Sequence, residues 1–382
     1  MNKEIWTRDY IYAILVLLCV HTGPYLLLAV ITVFGKMLSG SDTLAGMMAS
    51  VFALSGLAAR FLSAWLLDRY PLKKVLLVFT ALMALASFLY IFTGSYVQAF
   101  ILRGIQGIAY GVTCTAMSTY IVRLLDPAHR LEGIGYSSLT GNIANAFGPA
   151  AAYALLGPDT DRFQLLFLAV FLSVALSFVM ILFIKAPQES SLPKKAEQES
   201  SGLRTVLTPF LIWMILAFAM SAASAFLSLS ALEKGFGNIG LYFTINVIGL
   251  VLSRFTMKKI IDLLSERTTV LLMIVIIALS LAGIGIVREV WQLFCIALPF
   301  GFANGCLAPV INTQMINTLP ETKSGFANAA FFAAGDAGFI LGPTLWGIAA
   351  GLTGYTGVFL IAALISLLAA VPELFMRKKV TV

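Results

Sequence analysis

The sequence predicts an all-α membrane protein, with twelve transmembrane helices in two six-helix pseudo-repeats. Three observations predict it. Of 382 residues, 60% are hydrophobic and only 11% are charged, whereas a soluble domain carries about 25% charged residues. The apolar residues fall in runs long enough to cross a bilayer, which takes roughly 20 residues of helix. The second half also repeats the first at a constant offset, on residue types that chance apolar similarity would not match.

The runs follow one another in order. The first, 10–34, is too long for the apolar region of a cleaved signal peptide and lacks a small-residue cleavage site, so it reads as a span. The second, 43–67, stops at Asp68 and Arg69. The third, 75–93, lies between Lys73-Lys74 and Gly94. The fourth, 97–125, stops at Asp126-Pro127. The fifth, 132–157, is rich in Gly and Ala and closes at Gly157-Pro158. The sixth, 163–184, ends at Lys185. A polar stretch of charges and turn formers follows, 185–206, which includes PQESSLPKKAEQESSG and reads as a flexible linker. It separates an N-terminal bundle, 1–184, from a C-terminal bundle, 207–382. The second half gives 207–232, 239–262, 269–287, 291–318, 324–351 and 356–375. Gly and Pro inside these runs are no objection, because membrane helices tolerate both.

Charge placement orients the chain. One side collects Lys3, Arg8, Arg69, Lys73, Lys74, Arg123, Arg130, Lys185, Lys194, Lys195, Arg204, Lys258, Lys259, Arg267, Lys323, Arg377, Lys378 and Lys379. The other holds only Lys36, Arg162, Lys234 and Arg288. The positive-inside bias puts both termini in the cytoplasm. The net charge of +7 sits in short loops and forms no face for nucleic acid. Cys19, Cys114, Cys295 and Cys306 all fall inside apolar runs without CxxC spacing, so neither disulfides nor a metal site is expected. No P-loop, HExxH or nucleotide-binding pattern occurs, which implies no cofactor and no ATP-driven pump within this chain.

Shifting the first half by 194 residues aligns Arg60 with Arg254, Asp68 with Asp262, Lys73 with Arg267, and Gln98 with Gln292. Gly107 and Gly111 meet Gly301 and Gly305; Gly148 and Pro149 meet Gly342 and Pro343. The matches fall on Gly, Pro, Arg and Asp, so the duplication is real. Two such halves imply a central cavity and access that alternates by rocking one half against the other.

Three motifs carry a family resemblance. AWLLDRYPLKK, residues 64–74, is similar to G-x-x-x-D-R-x-G-R-K, with Ala64 for the first Gly and Pro71-Leu72 for Gly-Arg. LRGIQG, residues 102–107, matches R-x-x-Q-G. Gly135, Ala144, Gly148, Pro149 and Ala152 follow the spacing G-x8-G-x3-G-P-x2-G, with Ala at two Gly positions. The chain resembles the major facilitator superfamily over nearly its whole length, and is similar to the drug:proton antiporter branch. The resemblance implies the major facilitator fold. It makes Arg60, Asp68, Arg69, Lys73, Arg254 and Asp262 a conformational latch, and Gly135, Gly148 and Pro149 an antiporter motif that marks exporters. It links Arg103 to proton coupling or substrate charge. The plainer alternatives are a topogenic basic loop, a snorkelling arginine and close helix packing.

Intramembrane polar groups complete the candidate site. Asp336, in the eleventh span at the position equivalent to Asn142, is a carboxylate near mid-membrane and a candidate proton or cation binder. His21, midway along the first span, can relay protons. Arg103, Asp336 and His21 are the proton-coupling candidates. Tyr25, Gln106, Asn142, Asn145, Asn246, Asn304 and Asn312 are candidates for lining a substrate cavity, though helix–helix hydrogen bonding explains such groups equally well.

The sequence therefore points to a proton-coupled secondary transporter that exports a small amphipathic compound, with no enzymatic activity. An uptake symporter for an organic anion is the alternative, kept open by Arg103. A membrane sensor or an intramembrane enzyme would need an extension or a catalytic dyad that is not seen. Short outer loops and the lack of an N-x-S/T sequon point to a bacterial plasma membrane, and the expected state is a monomer whose partners are its substrate, protons and lipid.

Overall fold

A computed structural model describes residues 6–126, 129–157, 162–184, 203–319 and 324–375, and all its regular elements are helical. In order they are α1 (Arg8–Leu28), α2 (Ile31–Ser39), α3 (Asp42–Arg69), α4 (Leu72–Leu89), a 3-10 turn at Tyr90–Phe92, α5 (Tyr96–Leu124), α6 (Arg130–Leu156), α7 (Phe163–Leu182), α8 (Leu203–Glu233), α9 (Gly240–Leu264), α10 (Glu266–Ile286), α11 (Val290–Asn317), α12 (Ser324–Leu368) and α13 (Ala370–Phe375). Eight of the described helices are long and apolar enough to cross a membrane. The linker residues 185–202 lie outside the described residues, as do Lys3, Lys323, Arg377, Lys378 and Lys379.

Local chemistry sets the helix ends. Thr7 accepts a hydrogen bond from the Tyr10 amide and starts α1; Ser95 does the same for α5 from Gln98. Glu289 and Gln292 form a reciprocal capping box at the start of α11. Each such cap satisfies amides that the first turn leaves unpaired. The single first span expected over 10–34 is two helices. Val30 leaves helical geometry (φ −123°, ψ −8°) between α1 and α2. The run Val30-Ile31-Thr32-Val33 is β-branched throughout and weakens helix continuity there. The helical stretch α12 is two helices that meet at a kink at Gly354, whose φ of 68° suits glycine; the kink falls between the runs 324–351 and 356–375 expected as the last two spans.

The chain divides into two compact units: Met1–Gly40 with Val51–Ala196, and Ser41–Ser50 with Glu197–Val382. In the first unit, Tyr10, Val16 and Val20 of α1 are buried with Val112, Met117 and Tyr120 of α5, Leu76 of α4 and Ile181 of α7. Lys73 donates from Nζ to the Leu182 carbonyl at 2.8 Å and so caps the end of α7. In the second unit, Gly338 and Gly342 bring α12 against the α8 backbone at Ala217–Ser221. Trp346 then donates its indole N–H to the Phe218 carbonyl at 2.9 Å. Lys234, beyond the end of α8, donates to the Ile284 and Gly285 carbonyls at 3.1 and 2.8 Å, and burial lowers its ammonium pKa below the ordinary lysine value. Ser41–Ser50 is held on α12 by the Thr344 hydroxyl and the Ser50 hydroxyl, 2.9 Å apart, and by a Tyr355–Asp42 hydrogen bond.

The repeat extends to atomic packing. In the first unit, a Cβ at Gly107 would overlap Ser55 and Phe52, and one at Gly111 would meet the Gly56 carbonyl and Ala59. In the second, a Cβ at Gly301 would overlap the Asn246 carbonyl, and one at Gly305 would meet Leu250 and Ser253. Asn246, Leu250 and Ser253 are Phe52, Gly56 and Ala59 displaced by the same 194 residues. The α3/α5 and α9/α11 crossings are the same joint built twice, with small residues allowing close backbone approach.

Candidate functional site

The first unit holds a continuous polar and aromatic chain across α1, α3, α4 and α5. Arg103 is 1% exposed. Its Nη1 donates to Gln106 Oε1 at 2.6 Å, Gln106 Nε2 donates to Ser87 Oγ at 3.2 Å, and Ser87 donates to the Met83 carbonyl at 2.8 Å. The spacing Arg103-x-x-Gln106 puts both side chains on one face of α5. The guanidinium also lies over the Phe52 ring, 4.2 Å from its centroid, which gives a desolvated cation an attractive aromatic face. Its Nε has no hydrogen-bond partner. Phe52 also packs on Tyr110, with ring centroids 5.4 Å apart. Tyr110 shares a 2.7 Å hydrogen bond with His21 Nδ1, and His21 is tilted against Tyr25 at 6.2 Å. One side of this imidazole is thus fixed by a phenol, and its Nε2 looks toward Gly141 of α6, where a Cβ would sit 3.7 Å away.

The second unit is organised around an aromatic platform. Trp213 of α8 stacks on Phe331 of α12 at 4.9 Å and 15°, and Phe332 meets Phe331 edge-on at 5.6 Å. Gly335 sits against the Trp213 indole nitrogen, and the next residue, Asp336, is half-buried.

The other sequence-predicted residues separate by environment. Gln106 is fully buried between Arg103 and Ser87, and the Asn246 amide donates to the Ala297 carbonyl at 3.3 Å. Both are engaged within the helix packing. Tyr25, Asn304 and Asn312 are half-buried and Asn145 is exposed; the side-chain surroundings of Asn142 and Gly135 are outside the described residues. Gly148 packs on the Tyr25 backbone, and Pro149 is buried beside it. Arg60, Asp68, Arg69, Arg254 and Asp262 are all exposed, with Arg69 over the Trp65 ring at 4.7 Å.

Sequence reasoning missed Phe52, Tyr110 and Trp213, whose importance lies in which neighbour they touch. It also missed Glu373 on α13, a carboxylate 1% exposed that accepts from Gln314 Nε2 at 3.5 Å. The pairing of a buried Gln with a late Glu was the available signal.

The family model described as Major Facilitator Superfamily matches residues 13–238 and again 214–381. The chain belongs to the major facilitator superfamily. Like other members of the superfamily, it is a multi-pass membrane transporter with the fold of twelve transmembrane helices in two repeats. It is similar to a staphylopine export protein of Staphylococcus aureus (strain Mu50 / ATCC 700699), 24% identical over 355 residues covering 88% of this chain and 89% of that one. It is also similar to multidrug resistance protein 2 of Bacillus subtilis (strain 168), 24% identical over 366 residues, 91% and 90% of the two chains. The quinolone resistance protein NorA of Staphylococcus aureus (strain COL) is 22% identical over 362 residues, 91% and 90%. Among solved structures, the nucleoside transporter NupG superposes with TM-score 0.75 at 16% identity over 96% of this chain and 98% of its own. A bacterial homologue of the lysosomal transporter Spinster, in an inward-facing and unoccupied conformation, gives 0.76 at 13% identity over 98% of each.

Proposed function

We propose that this superfamily member exports a small amphipathic compound across the plasma membrane by alternating access, in exchange for protons. The observation that carries the export direction is similarity over about nine-tenths of the chain to relatives named for export and for resistance. Coupling to protons is supported by the difference between the halves. At one pair of equivalent positions the first half has Asn142 and the second has Asp336, and a carboxylate within a span is costly to keep ionised, so it favours a site that takes up and releases a proton. His21, held by Tyr110, and Arg103, held by Gln106 and Phe52, are the further coupling candidates. The latch residues Arg60, Asp68, Arg69, Lys73, Arg254 and Asp262 and the bend at Gly148-Pro149 belong to the moving parts. The working form is a monomer with both termini in the cytoplasm.

The test is efflux in inverted membrane vesicles carrying an imposed proton gradient, with a panel of fluorescent amphipathic compounds. Wild type should accumulate at least one compound only when the gradient is present. Asp336→Asn should lose gradient-driven accumulation and retain gradient-independent exchange. Accumulation by Asp336→Asn with the wild-type dependence on pH removes Asp336 from coupling.

A further inference from the structure

The second unit buries a carboxyl that its packing leaves half satisfied. Glu373, on the short helix α13, is 1% exposed, and Gln314 of α11 is 9% exposed. Gln314 Nε2 donates to Glu373 Oε1 at 3.5 Å, which is long against the roughly 2.9 Å of an ordinary N–H···O bond. The other oxygen of each group, Glu373 Oε2 and Gln314 Oε1, is buried with no hydrogen-bond partner. Two acceptors are thus left open on the same two side chains, and burying an acceptor without a donor is costly.

Charges around the pair do not make up the deficit. α13 packs against α8, α10 and α12. From α10, Arg267 and Glu266 act electrostatically on Glu373 with opposite sign. α8 has Glu233 at its far end, beside Lys234, and the side chain of Arg204 at its start is outside the described residues. α12 has Asp336, in its first helix before the kink at Gly354, and α11 has no charged residue. An ionised Glu373 would therefore keep a desolvated charge on one long contact. A metal cation fits poorly, because such an ion takes about six oxygen ligands and only these two oxygens are open among the described residues here.

We infer that Glu373 and Gln314 form a proton-binding site within the second unit. A proton on Glu373 Oε2 turns that oxygen into a donor, and Gln314 Oε1 is the acceptor for it. With the amide N–H on Oε1, acid and amide close a ring of two hydrogen bonds, so one proton satisfies both open atoms. When Glu373 gives the proton to water it becomes a carboxylate that its buried place does not support, and docking of α13 is therefore linked to proton uptake. Gln314 lies three residues from the end of α11, and Glu266 and Arg267 open α10. The site is thus at the end of the unit that the charge bias assigns to the cytoplasm. It is separate from Asp336, and its part in transport rests on the proton-exchange reading, in which it passes protons to the cytoplasm.

The experiment records infrared spectra and melting curves of the purified full-length protein from about pH 5 to about pH 8, the range in which such a proton is gained and lost. Wild type at neutral pH should show the carbonyl band of a protonated carboxyl, lost in Glu373→Gln and shifted in Gln314→Leu. Repeating the spectra in an Asp336→Asn background separates this band from any that Asp336 gives. A carboxyl that holds its proton only in the folded chain contributes stability that is present at low pH and lost as pH rises. The Tm of wild type should therefore fall by a few degrees more over that range than the Tm of Glu373→Gln, whose amide pairs with Gln314 at every pH. If Glu373→Gln does not fold, the shift of the band in Gln314→Leu decides. The same band in wild type and Glu373→Gln, an unshifted band in Gln314→Leu, or equal falls in Tm overturns the proposal. A Tm raised by sodium ions in wild type and not in Glu373→Gln overturns it too, since the occupant is then a metal ion. None of these readouts needs transport. The band without gradient-driven movement in vesicles keeps the site and sinks the exchange reading, and gradient-driven movement without the band does the reverse.

Discussion

Arg103 is the residue on which the first unit's interior depends most. A fully buried cation is costly unless it is engaged; Gln106 takes one Nη1 donor and the Phe52 ring covers the guanidinium face, while Nε stays without a hydrogen-bond partner. Gln106→Leu removes the acceptor, breaks the link to Ser87 and leaves the charge less satisfied. It should lower stability by about 1.5–3 kcal/mol, read as a reduced Tm in detergent, whereas Gln106→Glu should keep the fold and alter the pH dependence of transport. Tyr110→Phe keeps the ring beside Phe52 and removes the hydroxyl that hydrogen-bonds His21 and Cys114. Its expected outcome is a change in the His21 imidazole nitrogen signals of labelled protein with little change in Tm. Arg103, His21 and Asp336 were legible in the sequence because a charged or titratable group in an apolar run stands out. Their neighbours were not. Phe52, Tyr110 and Trp213 sit in runs that are apolar nearly all round, where no hydrophobic face reveals the rotation of the helix, and one aromatic in such a run looks like any other.

At the scale of elements, the glycines divide into those that hold a joint and those that do not. Gly301→Val places a side chain where the Asn246 backbone carbonyl lies. Backbone cannot rotate aside as a side chain can, so α9 and α11 must separate, at an expected cost of about 1–3 kcal/mol or more. Gly351, on α12, would meet nothing within 4 Å. Gly351→Ala should be neutral or slightly stabilising, because alanine is the better helix former by roughly 1 kcal/mol. Thermal melting of the two variants side by side checks both outcomes. The number of spans and their rough limits were readable from the apolar runs. The break at Val30 was not, because it is decided by backbone geometry over one or two residues inside a continuously apolar stretch, whereas the kink at Gly354 falls between the runs 324–351 and 356–375. The capping residues Thr7, Ser95 and Glu289 were equally visible as types, but only contacts reveal which of many Ser, Thr and Glu residues close a helix.

For the whole molecule, the proposed orientation makes a direct prediction. A cysteine placed at Lys36 or Arg288 should react with a membrane-impermeant thiol reagent added to intact cells, one at Lys74 should react only after permeabilisation, and the reverse pattern would invert the topology. The match between halves, visible in the sequence as Gly, Pro and Arg recurring at one interval, was the most informative feature of all, since packing at Gly107 and Gly111 is reproduced at Gly301 and Gly305. That twofold joint has a consequence for how such a chain can change over time. Where Gly107, Gly111, Gly301 and Gly305 meet the facing helix an added side chain is a collision, so glycine stands at these positions in both copies, while the residues facing them differ, as Gly56 and Leu250 do. One helical turn toward the start of α5 and α11 the copies differ, with Arg103 in one and Ala297 in the other, both buried. A duplicated joint can thus keep its glycines in both copies while the chemistry beside it changes in one copy alone.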